Sequence, residues 1–175
     1  MIAASFKELY AKNDNLRLVL IPRHAERGEE VMQTLAKLEI GTARRSNDSR
    51  AGEKILCLLA DTTGEMLKFM KASDVVIMGK SIAGHDEGHN LIEPALLKKA
   101  IVTGAVLRNF RFLMQVLTGK NAIKTVAADS ELTDVLAELL ENDELRNELG
   151  NKAFAAISEH SGATDKTLAA LEKLI

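Results

Sequence analysis

Short apolar runs alternate along this chain with longer stretches of helical periodicity, and turn residues mark each change. That alternation constrains the fold more than any other feature. Strands separated by helical crossovers pair in parallel with right-handed connections, and their sheet is covered on both faces. Apolar runs at residues 16–21, 55–60, 74–78, 100–103 and 123–126 predict five strands. Residues 5–12, 29–38, 62–70, 109–117, 130–140, 143–160 and 164–175 predict helices, and a glycine-bearing loop at 79–88 opens another through about residue 99. The expected class is α/β, a Rossmann-like parallel sheet with helices on both faces and a helical C-terminus. Pro22 ends the first strand because proline has no N–H for a ladder. Ser5 and Glu8 have capping-box spacing at the first helix, and residues 42–53 read as a polar loop. The chain opens on a helix, whereas a doubly wound unit opens on a strand followed by its ligand loop, so a further strand is expected upstream.

Size and composition narrow the classes. With 175 residues and 46% hydrophobic residues the chain builds one core, and residues 1–175 are read as a single domain. No run of about 20 apolar residues spans a bilayer and no export signal opens the sequence, so the reading is cytoplasmic and without membrane contact of its own. Cys57, alone and within an apolar run, is expected in the core. A net charge of −2, no Trp and one Tyr argue against nucleic acid as a partner. A small-molecule or protein ligand fits better.

In an open parallel sheet the ligand binds outside the carboxyl ends of the strands. Four loops there are chemically distinctive: Pro22-Arg23-His24, Asp61-Thr62-Thr63-Gly64-Glu65, residues 79–94, and residues 104–109. Arg23 follows a buried strand, so its guanidinium is either a fixed anion clamp or a surface partner of Glu26 or Glu29. His24 has a minor role. Gly64 allows close backbone approach, and the N–H groups that follow it can hold an anion, but Thr62 and Glu65 have capping-box spacing too. Asn90 and Glu93 pose the same choice, with Pro94 tolerated in a first turn. Two motifs fail. Gly79-Lys80-Ser81 resembles the end of a P-loop, but position 74 is Asp where that motif needs Gly. His85-Asp86-Glu87-Gly88-His89 departs from zincin spacing and its glycines favour a loop, so no metal is expected. Arg44, Arg45, Arg50 and Lys54 read as a solvated loop.

In order, these motifs resemble the donor-binding half of 3-deoxy-D-manno-octulosonic acid (Kdo) transferases, glycosyltransferases with the GT-B fold. Pro22-Arg23-His24-Ala25-Glu26-Arg27 is similar to the family's Pro-Arg-His-Pro-Glu-Arg, Arg44-Arg45-Ser46 to its Thr/Arg-Arg-Ser, and Asp61-Thr62-Thr63-Gly64-Glu65-Met66 to Asp-Thr-Met-Gly-Glu-Leu. Gly88-His89-Asn90-Leu91-Ile92-Glu93-Pro94-Ala95 is similar to Gly-His-Asn-Pro-Leu-Glu-Pro-Ala, and Asn109-Phe110 to a later Asn-Phe. The family's Gly-Pro-His segment is replaced by Gly104-Ala105-Val106, so no sugar contact is carried over from that histidine.

The resemblance implies a domain that binds CMP-Kdo through Arg23, Gly64, Glu65, Met66, Asn90 and Glu93, with Pro22, His24, Ser81 and His89 as further donor-loop residues. It implies no cofactor besides the donor substrate. It also implies that an N-terminal acceptor domain outside this chain carries the catalytic base, the lipid A precursor and the attachment to the cytoplasmic face of the inner membrane. A UDP-sugar donor, or a non-catalytic nucleotide-binding or interaction module, is the alternative.

Overall fold

In the computed structural model, residues 1–47, 54–82, 86–160 and 171 are described. The chain runs α1 (Ile2–Tyr10), β1 (Leu18–Leu20), α2 (Gly28–Lys37), β2 (Thr42–Arg44), β3 (Cys57–Leu59), α3 (Met66–Ala72) and β4 (Val75–Met78). It continues through α4 (Ile92–Leu96), β5 (Ala100–Gly104), α5 (Arg111–Gly119), β6 (Lys124–Val126), α6 (Asp129–Glu141) and α7 (Asp143–Ser158). Among the described residues every strand pairing is parallel, as the alternation predicts. Among the described residues the strands form two groups, ordered β1-β3-β2 and β4-β5-β6.

Burial follows position in each group. β5 is buried along its whole length, which is why Ala100 to Gly104 reads as a continuous apolar run. Ile101, Leu91 and Leu117 pack on one side of β5, while Val102, Leu132 and Leu139 pack on the other. A third cluster joins Phe6, Leu35, Ile40 and Cys57 around the first group. Cys57 is fully buried, and burial pushes its thiol up to about 12, so it is an unreactive core residue. No helix among the described residues is long and apolar enough to cross a membrane.

Several boundaries differ from expectation. The supposed loop at 42–53 contains strand β2, because the polar Arg44 is satisfied there by Asp61 and a Thr-Ala-Arg strand needs no apolar run. α1 begins at Ile2, not at a Ser5 cap; Ser5 is buried and accepts a hydrogen bond from Thr133 Oγ1 at 2.9 Å. α3 begins at Met66 because Gly64 has φ +85°, a left-handed conformation that interrupts a helix and favours glycine. The helix expected through residue 99 is the short α4, and Lys98 at φ +54° follows its end. α7 is capped by Asn142 Oδ1, which accepts the Leu145 N–H at 2.9 Å. The terminal helix expected at 164–175 lies outside the described residues except for residue 171.

Candidate functional site

Parallel pairing brings the loops after the strands of each group to one edge. Pro22 after β1 is half-buried and Arg23 is exposed. Arg23 pairs with neither predicted surface partner: Glu26 lies 3.6 Å from His24 Nδ1, and Glu29 lies 3.7 Å from Arg44. Its charge acts instead across the fold, on Glu87 and His89 in the loop after β4. The loop after β1 therefore lies within electrostatic reach of the loop after β4. His24 is exposed beside Glu26 and takes no part in that grouping.

The loop after β4 is held from both ends. Lys80 pairs with Glu87, and Arg108 pairs with Asp86 while its backbone N–H bonds to the Asp86 carbonyl at 2.6 Å. Ser81 is buried; its hydroxyl contacts Thr103 Oγ1 at 2.8 Å and the Met78 carbonyl at 2.9 Å, and accepts the Gly104 N–H at 2.9 Å. Thus Ser81 joins the ends of β4 and β5, with its hydroxyl engaged inside the protein. A Cβ at Gly104 would stand 1.7 Å from the Ser81 carbonyl oxygen, so this close approach requires glycine.

Asn90 Oδ1 accepts the Ile92 N–H at 3.1 Å in an Asx turn that leads into α4, whose N-cap position is Leu91. Glu93, in the first turn of that helix, is half-buried and its charge reaches His89. His89 is half-buried. Burial lowers its pKa, the cations Arg23 and Lys80 lower it further, and Glu93 opposes them. Arg23, Lys80, His89 and Glu93 thus form one electrostatic group drawn from three segments.

A second network organises the start of α3. Glu65 accepts two hydrogen bonds from Arg45, at 3.0 and 3.1 Å, and one from Thr62 Oγ1 at 2.6 Å. The Thr62–Glu65 spacing therefore makes a side-chain pair, and Arg45 and Thr62 hold the Glu65 carboxyl down at about 2. Met66 and Gly64 are exposed next to it, with open space where a Gly64 side chain would stand. Beneath them Asp61 is buried. Burial pushes its carboxyl up, but hydrogen bonds from Arg44, Ser46 N–H at 2.9 Å and Ser46 Oγ at 2.7 Å outweigh that and leave it low.

Arg44 and Arg45 are consequently not a solvated loop but the ties between β2 and the β3 loop. Their matched Arg-Arg-Ser motif was the available signal for this role. The Arg50 position and His85 lie outside the described residues; Asp86 and Glu87 are engaged by Arg108 and Lys80. Among the described residues no three His, Cys, Asp or Glu side chains gather as a metal site. A hollow of 390 Å³ lined by Met32, Ala36, Glu39, Ile40, Gly41 and Thr42 opens near the N-terminal end of β2 and shares no residue with these loops.

Parallel strands with cationic loops gathered at their carboxyl ends define an α/β domain of the type forming the C-terminal half of a GT-B fold. No family model matches the chain. It is 32% identical over 96% of its length to the 3-deoxy-D-manno-octulosonic acid transferase of Haemophilus influenzae, and 34% identical over 89% to that of Bordetella pertussis. It spans 39% and 36% of those relatives' lengths. The crystal structure of the C-terminal CMP-Kdo binding domain of WaaA from Acinetobacter baumannii matches 89% of this chain and 81% of that one, with TM-score 0.82 and 26% identity. The chain belongs with the C-terminal domain of the 3-deoxy-D-manno-octulosonic acid transferases.

Proposed function

We propose that this domain binds CMP-Kdo as the donor half of a glycosyltransferase that transfers Kdo to a lipid A precursor. The observation that carries the reading is the convergence of Arg23, Lys80, His89 and Glu93 on one edge, in the order of the family's motifs. As the sugar leaves, negative charge grows on the CMP phosphate. Arg23, fixed by the strand before it, offers that charge a bidentate donor already in place. The backbone N–H groups around Gly64, Glu65 and Met66 are further donors for it, and the Arg45–Glu65 clasp keeps that turn in position. Glu93, with Asn90 beside it, accepts hydrogen bonds from the ribose hydroxyls. Pro22 sets the exit of β1, and Ser81 fixes the floor beneath the donor.

The acceptor, the catalytic base and the association with the cytoplasmic face of the inner membrane belong to an N-terminal domain outside residues 1–175. This chain alone binds the donor without turnover, and no cofactor is assigned to it. Calorimetric titration of the folded chain with CMP and with UDP tests the reading. Saturable heat with CMP and a much weaker response to UDP is the expected result. Binding of UDP with no response to millimolar CMP would transfer the domain to a UDP-sugar enzyme, and silence with both would leave a non-catalytic interaction module.

A further inference from the structure

Glu87 stands among the cations of this edge. Its carboxylate pairs with the Lys80 ammonium, and that bond holds its carboxyl below the ordinary carboxylate range, with the charges of Lys80, Arg23 and Arg108 adding to the effect. Arg23, Lys80 and Arg108 come from the loops after β1, β4 and β5, so one acidic side chain lies in the field of all three. These cations are offset by Asp86 on Arg108, Glu87 on Lys80 and Glu93, whose charge reaches His89. With the charges so balanced, the edge attracts a further anion only weakly.

The backbone on either side of Glu87 is pinned. The Asp86 carbonyl accepts the Arg108 N–H at 2.6 Å, and the Asp86 side chain pairs with the same residue. Gly88 is pressed on the loop after β5: a Cβ there would lie 2.4 Å from Cγ of Leu107, itself only 2% exposed. The Glu87 side chain between these anchors is 53% exposed, and ion pairs at such exposure contribute little to stability. Its carboxylate can therefore leave Lys80 by rotation about its own side-chain bonds, with the loop unmoved. Lys80 does not have that freedom at its base, because Ser81 beside it is buried and bonded to Thr103 and Gly104 of β5.

We propose that Lys80 is a further phosphate-binding residue beside Arg23, and that the Glu87 carboxylate is its built-in competitor, seated where a phosphate oxygen of the ligand binds. A carboxylate and a phosphate oxygen offer an ammonium group the same charged acceptor, so an arriving phosphate exchanges one ion pair on Lys80 for another while Glu87 turns to water. A neutral nucleoside cannot make that exchange, since displacing Glu87 would leave Lys80 without a counter-charge. Glu87 thus makes the edge selective for phosphorylated ligands at a cost in affinity. The inference rests on the phosphate role given to Arg23, and inorganic phosphate tests it apart from the nucleotide.

The His89 ring signals of the full chain are followed by NMR during titration with phosphate, at fixed neutral pH and ionic strength, in four forms: the natural chain, Glu87→Gln, Asp86→Asn, and Glu87→Gln combined with Lys80→Met. Glu87→Gln is expected to tighten phosphate by about fivefold, the fold-change that corresponds to releasing one exposed ion pair. Asp86→Asn removes an equal charge but leaves Lys80 occupied, so its affinity is expected to stay within about twofold of the natural chain. The double variant is expected to lose the whole gain. Unchanged or weaker binding in Glu87→Gln, an equal gain in Asp86→Asn, a gain that survives the loss of Lys80, or silence of every form toward millimolar phosphate would each overturn the proposal. Calorimetry with CMP on the natural chain and Glu87→Gln keeps the two readings separate. CMP binding that Glu87→Gln does not tighten overturns the competitor and leaves the nucleotide reading standing, whereas tightened phosphate with no response to CMP upholds the competitor and removes the nucleotide.

Discussion

Arg45 clasps Glu65 through two parallel hydrogen bonds, Nε to Oε2 at 3.0 Å and Nη2 to Oε1 at 3.1 Å, and so ties the turn after β2 to the start of α3. The clasp has a pH signature. Because the folded carboxyl sits at about 2, below its ordinary 4.5, it contributes stability that is full above about 4.5 and is lost as pH falls toward 2. Thermal melts from pH 6 to pH 2.5 are expected to fall more steeply for the natural chain than for Glu65→Gln. Parallel slopes would show that the clasp contributes nothing.

Asp61 is the buried acceptor beneath that clasp, with its side chain 1% exposed. Asp61→Ala strands Arg44 and the Ser46 N–H together, and urea unfolding is expected to show a loss of about 3 kcal/mol. A change below about 1 kcal/mol would mean that solvent replaces the carboxylate.

His89 reports on its cationic neighbours. Arg23 is among the groups that lower its pKa, so Arg23→Ala is expected to move the His89 midpoint upward in an NMR titration. A phosphate bound beside Arg23 should raise it as well. An unmoved midpoint in the variant would place the two residues out of electrostatic reach.

Removal of Arg23 or Glu93 tests the donor contacts directly. Arg23→Ala and Glu93→Ala are each expected to weaken CMP affinity by about 10- to 100-fold in calorimetry, with an unchanged circular dichroism spectrum. Full affinity in both would return these groups to surface and capping roles.

Two glycines separate crowding from backbone strain. Gly104→Ala drives a methyl into the Ser81 carbonyl and is expected to cost about 3 kcal/mol. Gly64→Ala meets open space, and its φ of +85° should cost only about 1–2 kcal/mol. Chemical denaturation that reversed this order would contradict the close approach of the β4 and β5 ends.

The α/β class, the parallel pairing and the buried Cys57 were readable because strand length, helical period and turn residues are local signals. The place of Arg23 just beyond a strand was readable from the apolar run and Pro22, but that strand is half-exposed along its length, not buried as its apolar run implies. Strand β2 was not readable, because Thr-Ala-Arg is polar and becomes a strand only when Asp61, 17 residues beyond Arg44, neutralises it. Glu65 illustrates the same limit. Its spacing from Thr62 suggested a backbone cap, while its main partner Arg45 lies 20 residues upstream and is found only by folding. Ser81 read as a ligand-loop residue, and only the approach of β5 gives its hydroxyl the partners Thr103 and Gly104. Division into two strand groups was likewise invisible, since no local pattern records which strands lack a neighbour.

The sharing of α1 between two cores bears on how the molecule comes apart. Phe6 and Leu9, less than one helical turn apart, anchor one short helix in clusters that belong to different strand groups. Ser5, between them in burial, adds a bond to Thr133 on α6. Undocking this helix would cut contacts to both groups at once, so α1 acts as the cooperativity element of the domain: while it is seated, the halves melt together, and once it frays, each is free to melt at its own temperature.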